Sequence, residues 1–330
     1  MAETRFGIAG CGNMGRRHAT ALVEAAGATV VGVTDPDPGA AATLAADVGA
    51  GVFADVASLL AGGGLDALVV TTPPRVRREI ILPAARAGVH LFVEKPPAFD
   101  LSEARECREA LERAGVLNAV GFMLRFQPIT ERARDLLRGR RITLVRTVLT
   151  IGYYLHLRMP LWFLRKDASG GPLVEQAIHV LDAARHLAGD DVTHVFARGD
   201  RIVRPDVPGV DAEDTLALTY RFASGALGVH SHSCAIEKTR FEVECLGADF
   251  RLLVDYTGGK LSGVLGGESC DETFPAFDAY RAEIVAFAQA VRGEGDDIRS
   301  TYADAVRTLA VTLAGNRSLG TAAWEPVLVD

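Results

Sequence analysis

Along the first third of the chain, short apolar runs alternate with longer stretches whose apolar residues recur every three or four positions. Phe6 to Ala9 reads as a strand, followed by a glycine-rich turn and a helix through Ala25. Thr29 to Thr34 (TVVGVT) is a β-branched run with an Ala-rich helix behind it from about Gly39. Ala67 to Thr72 (ALVVTT) is a third strand, with a helix over Val76 to Ala87, and His90 to Val93 is a fourth. A helix from Ser102 to Ala114, opened by Ser102, and a strand near Ala119 to Phe122 complete the series. Strands that alternate with helices in this way predict a parallel sheet covered on both faces, because each crossover lays a helix on the sheet.

After about Leu124 the pattern changes. Ile142 to Tyr153 is a long β-rich segment. Leu216 to Phe222, Ala226 to Ser233, Arg240 to Gly247 and Arg251 to Tyr256 follow with short turns between them, as in an antiparallel sheet. Helical periodicity returns at Gln176 to Leu187, Tyr280 to Val291 and Ala303 to Arg317, and the Gly-, Pro- and Asp-rich stretches Arg204 to Asp214 and Gly258 to Phe277 read as loops. The expectation is an α/β domain with a doubly wound parallel sheet over residues 1–124. Behind it, an α+β domain with a large, open, mainly antiparallel sheet would span 125–330.

Composition narrows the function classes. At 330 residues, 48% apolar and 23% charged, the chain can bury a core without staples. A net charge of −7 with no basic block argues against nucleic acid and anionic membranes as partners. The densest basic stretch, Arg132 to Arg141, is interrupted by Glu131, Asp135, Leu136 and Leu137 and reads as a solvated helix face. The five cysteines are scattered, with no C-x-x-C pair, which fits reduced thiols in a cytoplasmic protein. The N-terminus shows no secretory pattern, and no apolar run reaches membrane-spanning length.

The run GIAGCGNMGRRH places Gly10, Gly12 and Gly15 in the G-x-G-x-x-G pattern at a strand-to-helix junction. Gly10 permits the tight turn, Gly12 lets backbone approach a pyrophosphate, and Gly15 allows close packing of helix on strand. Asp35 ends the second strand at the spacing expected of the residue that accepts hydrogen bonds from the adenosine ribose. Its charge would repel a 2′-phosphate, and no Arg or Lys stands between Thr34 and Ala40 to compensate, so NAD is expected over NADP. Asp35 lies in Asp-Pro-Asp-Pro and is also a natural turn former, a role compatible with the first.

Two further clusters carry chemistry. Glu94-Lys95-Pro96 follows the strand LFV, and strand C-termini line the ligand crevice of an open α/β sheet, so Lys95 should point toward the cofactor. In SGGPLVEQAIHVLD, Ser169 to Asp182, a helix would bring Glu175, His179 and Asp182 onto one polar face, where carboxylates and an imidazole can do acid–base work. Together these motifs make the chain resemble the glucose–fructose oxidoreductase, inositol dehydrogenase and rhizopine-catabolism (Gfo/Idh/MocA) family over nearly its whole length. Gly121-Phe122 with Arg125, Asp214-Thr215 and the Ser224-Gly225-Ala226 turn fit the same family.

The resemblance implies Lys95 and His179 as the catalytic pair with Glu175 in support, and Asp182 behind them. It implies cofactor contacts from Gly10, Gly12, Asn13, Met14, Gly15, Asp35, Thr71, Thr72, Pro73, Arg77, Glu94, Lys95 and Arg125. Substrate contacts would come from Lys95, Trp162, Glu175, His179 and Tyr280, with no metal. It also implies a cis Lys95–Pro96 peptide and a homodimer or homotetramer formed through the C-terminal sheet. Two residues depart from the family pattern: Glu175 stands where Asp is usual, and Arg77 where a His is frequent.

Blander readings exist for each residue. Lys95 could be a surface lysine, His179 a satisfied core histidine, and Trp162 with Phe163 simple core. His230, His232 and Cys234 alternate on one strand face; a fourth zinc ligand is not evident, so they read as a sheet-face or interface feature. The expected activity is transfer of a hydride between NAD and a secondary alcohol or ketone of a sugar, polyol or sugar derivative. The alternatives are a glycosidase that uses tightly held NAD for transient oxidation and a non-enzymatic NAD-responsive regulator. A pure sensor has no use for Lys95, Glu175 and His179.

Overall fold

The structure, a computed structural model, describes residues 3–156, 161–203 and 205–329, so Arg204 of the expected loop lies outside the described residues. The chain forms two compact units, residues 1–126 with 278–306, and residues 127–277 with 307–330.

The first unit carries a six-stranded, wholly parallel sheet of β1 (Thr4–Ala9), β2 (Ala28–Thr34), β3 (Gly51–Val52), β4 (Ala67–Val70), β5 (His90–Val93) and β6 (Asn118–Val120). Its strand order is β3-β2-β1-β4-β5-β6, so the winding reverses between β1 and β4. At such a switch point two crossovers leave in opposite directions and open a crevice at the strand C-termini. β4 is buried at every position, as its unbroken apolar run requires of a strand with helices on both faces. The connecting helices start where the sequence offers a cap. Asp37 accepts from the N–H groups of Gly39 (2.8 Å) and Ala40 (3.3 Å), and Asp100 from that of Glu103 at 2.9 Å. Asp100, two residues before the expected Ser102, is therefore the helix start; such a cap is worth about 1 kcal/mol.

Residues 278–306 return to this unit. The helix Ala279–Val291 buries Phe287 against Phe92 and Phe6, at ring-centroid distances of 5.8 and 6.4 Å. A single division after residue 124 assigns this helix elsewhere, because periodicity reveals an apolar face but not which core it fills.

The second unit carries a nine-stranded sheet of β7 (Ile142–Thr150), β8 (Val192–Asp200), β9 (Thr215–Phe222), β10 (Leu227–Ser233), β11 (Arg240–Gly247), β12 (Phe250–Asp255), β13 (Lys260–Leu265), β14 (Glu268–Thr273) and β15 (Glu325–Pro326). The order is β14-β13-β12-β11-β7-β10-β9-β8-β15, antiparallel throughout except for the parallel pair β7–β10 at its centre. The expected loop Gly258 to Phe277 is largely the hairpin β13–β14. Its turn residues Gly266 and Gly267 have φ of +58° and +89°, the signature of a tight primed turn. Both are edge-ward strands with many exposed positions, so no apolar alternation marks them. The helix Ile178–Ala188 lies against β7 and β11.

Candidate active-site residues in each unit

In the first unit, two of the three glycines are demanded by the chain itself. Gly10 has φ +99°, and a Cβ there would lie 2.9 Å from Oγ1 of Thr71. A Cβ on Gly15 would sit 2.0 Å from the carbonyl oxygen of Gly10. At Gly12 a Cβ would meet nothing within 4 Å. The requirement for glycine there is not internal, and the open space lies at the N-cap of the helix Asn13–Val23. That helix has no side-chain cap and no acidic residue in its first turn, so its leading N–H groups and dipole are available to an anion. Gly12, Asn13 and Pro73 are exposed and Met14 half-buried. This is the cradle that a dinucleotide pyrophosphate fits.

Asp35 borders it. Its Oδ2 accepts from the Cys11 N–H at 2.7 Å and its Oδ1 from the Asp37 N–H at 2.8 Å, so the carboxylate shapes both the glycine turn and its own turn. Each oxygen keeps a further lone pair for an incoming hydroxyl. Thr71 braces the turn by donating to the carbonyls of Gly10 (2.7 Å) and Ala9 (3.1 Å). The buried hydroxyl oxygen of Thr72 makes no hydrogen bond within the protein. Burial and the Asp35 charge push the Cys11 thiol up to about 11, so it is not a nucleophile at neutral pH.

Lys95 follows the C-terminus of β5, half-buried, and the Lys95–Pro96 peptide is cis. It is held from both sides. The Arg77 guanidinium is buried and donates to the carbonyls of Thr72 (2.6 and 2.9 Å), Glu94 and Pro96. Glu94 accepts from the Lys95 N–H at 3.1 Å and pairs with Nε2 of His18 at 2.7 Å. Burial alone would push the Glu94 carboxyl up; the His18 contact, with the Lys95 and Arg77 charges, outweighs it and holds the group below its usual range. Glu283 completes a buried cluster with His18 and Glu94, and burial followed by the Glu94 charge pushes its carboxyl well up. Arg125, also buried, binds Asp304 and the Arg299 carbonyl, each at 2.5 Å, and so braces its own turn. Tyr280 lies under the Arg17 guanidinium, 4.0 Å from the ring centroid.

In the second unit, Gly170 and Gly171 have φ of +82° and +78°, conformations open mainly to glycine, and a Cβ on Gly170 would lie 2.8 Å from Cβ of Val174. They lead into a π-helical turn, Leu173–Ala177, before the α-helix Ile178–Ala188 begins. The uniform helix expected from Gln176 is thus in two parts, with Glu175 in the wider turn and His179 in the first turn of the α-helix. π-turns are uncommon and concentrate at functional sites. Glu175, His179 and Asp182 are all buried; the His179 ring lies 6.5 Å from that of Phe241, and Asp182 accepts from the Thr308 hydroxyl at 2.9 Å. Trp162 is 42% exposed and packs edge-on to Phe163.

Residues that motif reading passes over are His18, which pairs with Glu94, and Glu283 beside them in the first unit, and Gln176 in the second. His18, three residues after Gly15, is the one whose position in the motif could have drawn notice. His230, His232 and Cys234 lie in a line of contacts and form no convergent metal cluster; among the described residues, only His18, Glu94 and Glu283 group closely enough to be candidates for holding an ion. The 2.7 Å His18–Glu94 contact has the length of a hydrogen bond.

Residues 4–122 match the family described as "Oxidoreductase family, NAD-binding Rossmann fold", and residues 130–261 match the "GFO/IDH/MocA C-terminal domain". The chain is 31% identical to the scyllo-inositol 2-dehydrogenase (NAD(+)) of Bacillus subtilis, over 96% of this chain and 94% of that one. It belongs to the Gfo/Idh/MocA oxidoreductase family. A second relative, inositol 2-dehydrogenase 4 of Saccharopolyspora erythraea, is 30% identical over 98% of this chain and 96% of its own. Levoglucosan dehydrogenase solved in complex with NADH is 22% identical with a TM-score of 0.88, covering 99% of both chains, and shares the fold. This Gfo/Idh/MocA protein is an NAD-binding oxidoreductase of the class that acts on CH–OH groups. Among the described residues no helix is long and apolar enough to cross a membrane.

Proposed function

We propose that the protein interconverts a secondary alcohol and its ketone on an inositol, sugar or sugar derivative, with Lys95 and His179 sharing the proton transfer and Glu175 in support. The observation that carries the reading is the fixing of Lys95: the carbonyls on both sides of it, those of Glu94 and Pro96, are held by Arg77, directly after the C-terminus of β5. A lysine held so firmly at the crevice end of the sheet is a positioned functional group rather than a solvated surface side chain.

The cofactor is held by Gly10, Gly12, Asn13, Met14 and Gly15 at the pyrophosphate, by Asp35 at the ribose, and by Thr71, Thr72, Pro73, Glu94 and Lys95 along the crevice. Arg77 and Arg125, expected among these contacts, act as braces behind them. Bound there, the nicotinamide supplies the hydride acceptor. The Lys95 ammonium donates to the carbinol oxygen and stabilises its developing negative charge. A ring nitrogen of His179 takes the hydroxyl proton, since imidazole as a class exchanges protons near neutrality. Glu175 binds a neighbouring hydroxyl or orients the imidazole, and Trp162 and Tyr280 supply apolar contact to the sugar ring.

A cofactor-coupled absorbance screen against inositols, sugars, sugar acids and their keto forms tests the reading. NAD reduction with at least one polyol or sugar supports it. Glycoside cleavage without net NAD reduction, or NAD binding with no turnover on any panel member, overturns it.

A further inference from the structure

A line of buried side chains crosses the centre of the nine-stranded sheet and ends on the turn that carries Glu175. Thr147 Oγ1 lies 2.9 Å from Nδ1 of His230, its register partner across the parallel pair β7–β10. Nε2 of His230 lies 3.4 Å from Nδ1 of His232, and Nε2 of His232 lies 3.1 Å from Sγ of Cys234. The thiol in turn donates to Oε1 of Gln176 at 3.2 Å. His230, His232, Cys234 and Gln176 are each 5% exposed or less. The line has one polarity: with S–H spent on Gln176, Sγ accepts from His232 Nε2–H, whose Nδ1 accepts from His230 Nε2–H, whose Nδ1 accepts from the Thr147 hydroxyl. Burial keeps every member neutral, pushing His230 down to about 3, His232 well down and the Cys234 thiol up.

A buried polar chain of this length adds little net stability, since each group has given up water to gain its partner. What it adds is direction. An apolar side chain at 176 would fill the space in several ways, whereas an amide tied to a chain anchored on two central strands has one. Gln176 lies in the five-residue π-turn, next to Glu175, and a π-turn is a wider and rarer arrangement than the α-helix it precedes. We propose that Gln176 is a positioning residue for Glu175, and that the chain Thr147–His230–His232–Cys234 holds it so that the π-turn keeps its register. The inference rests on the dehydrogenase reading for the role of Glu175 and on the geometry alone for the order of the turn.

The test compares Gln176→Met, Cys234→Ala and Cys234→Ser in the full-length protein by deuterium uptake of the peptide spanning Leu173–Ala177 and by steady-state kinetics on the alcohol identified with the wild type. Gln176→Met and Cys234→Ala should exchange at least about tenfold faster in that peptide and lose about tenfold in kcat, with NAD affinity within about twofold. Cys234→Ser, which keeps a donor, should recover most of both. A purely packing role would lower Tm in both variants without changing kcat per folded molecule. Wild-type exchange and kcat in Gln176→Met and Cys234→Ala, or failure of Cys234→Ser to recover either, overturns the inference. If Gln176→Met does not fold, the Cys234 pair carries the test. If the wild type oxidises no panel alcohol, the dehydrogenase reading has failed and the exchange arm still decides the chain.

Discussion

The Cys11 N–H donates to Oδ2 of Asp35 at 2.7 Å, so the acidic residue expected to recognise the ribose also holds the middle of the glycine turn. Asp35→Ala therefore removes a ribose acceptor, a repulsive charge and a brace together. NAD affinity should fall about tenfold to several hundredfold, the worth of a few kcal/mol of polar contact. NADP affinity should fall less, because the charge facing its 2′-phosphate is gone. Calorimetric titration of both cofactors checks this; tighter NADP than NAD binding in the unmutated protein would remove Asp35 as the discriminator.

Arg77 is a brace of a different kind. Replacing it with Met leaves buried carbonyls of Thr72, Glu94 and Pro96 short of donors, at about 1–3 kcal/mol for each group left unsatisfied. The unfolding free energy from urea melts should drop by about 3 kcal/mol. Arg77→Lys should recover part of it, because an ammonium cannot reproduce the planar fork. A loss under about 0.5 kcal/mol in Arg77→Met, the level of an ordinary surface change, would show that the brace carries no energy.

The architecture and the glycine turn of the candidate cofactor site were legible because both rest on local patterns. Strand–helix alternation, three spaced glycines and one acidic residue each leave a trace a few residues long. The β13–β14 hairpin was not legible, since among its mostly exposed or half-buried positions only Leu261 is buried and no clean alternation forms. The return of the helix Ala279–Val291 to the first unit was hidden for another reason: Phe287 is apolar whichever core receives it. The roles of Arg77, Glu283 and Gln176 were hidden because they lie in neighbours up to 265 positions away. A buried Arg or Gln looks in sequence like any surface one. The π-turn at Leu173–Ala177 departs from the period on which the expected helix face was built.

Stability should depend on pH through the buried histidines. His230 is held down to about 3 when folded, against about 6.5 unfolded. Between those values the unfolded chain binds the proton and the folded one does not, so stability is full above about 6.5 and is lost as pH falls toward 3. His232 acts in the same sense. Each contributes up to about 1.4 kcal/mol per pH unit in that window. Glu283 acts oppositely: its folded carboxyl is raised, so the stability it contributes at low pH is lost as pH rises above about 4.5. Urea midpoints should therefore fall between pH 7 and 5, and Glu283→Gln should raise stability more at pH 8 than at pH 5. A flat profile from pH 7 to 5 in Glu283→Gln, where the opposing carboxyl is gone, would contradict the neutral state of the two histidines.

The sheet of the second unit should mediate self-association. Leu227, Val229 and Val264 are 45, 42 and 44% exposed on its strands, and Leu144 is the register partner of Leu227. Apolar residues on the uncovered face of an antiparallel sheet favour a second copy, and closed symmetric pairs are the common solution. Light scattering at micromolar concentration should give a dimer or tetramer, and Val229→Lys should shift the mass toward the monomer. A monomeric wild type would sink the proposal.

Catalysis should depend on Lys95 and His179 together. Removing the hydroxyl proton without stabilising the oxygen leaves an alkoxide, and stabilising the oxygen without a proton acceptor leaves the proton in place. Each residue therefore does little alone, and general acid–base groups typically contribute about 10²–10⁴-fold. Lys95→Ala and His179→Ala should each lower kcat at least about a hundredfold on the alcohol the screen identifies. NAD affinity should stay within a few-fold, because the pyrophosphate cradle at Gly12 and the Asp35 contact are untouched. Glu175→Gln should cost less than either and fall mainly on KM if Glu175 binds a neighbouring hydroxyl; a loss confined to kcat would place it behind the imidazole instead. Because the two residues serve one proton transfer, the double variant should lose less than the product of the single losses. Stopped-flow measurement of nicotinamide reduction in the four proteins separates these outcomes. Near-normal turnover in either single variant would show that the acid–base work is done elsewhere.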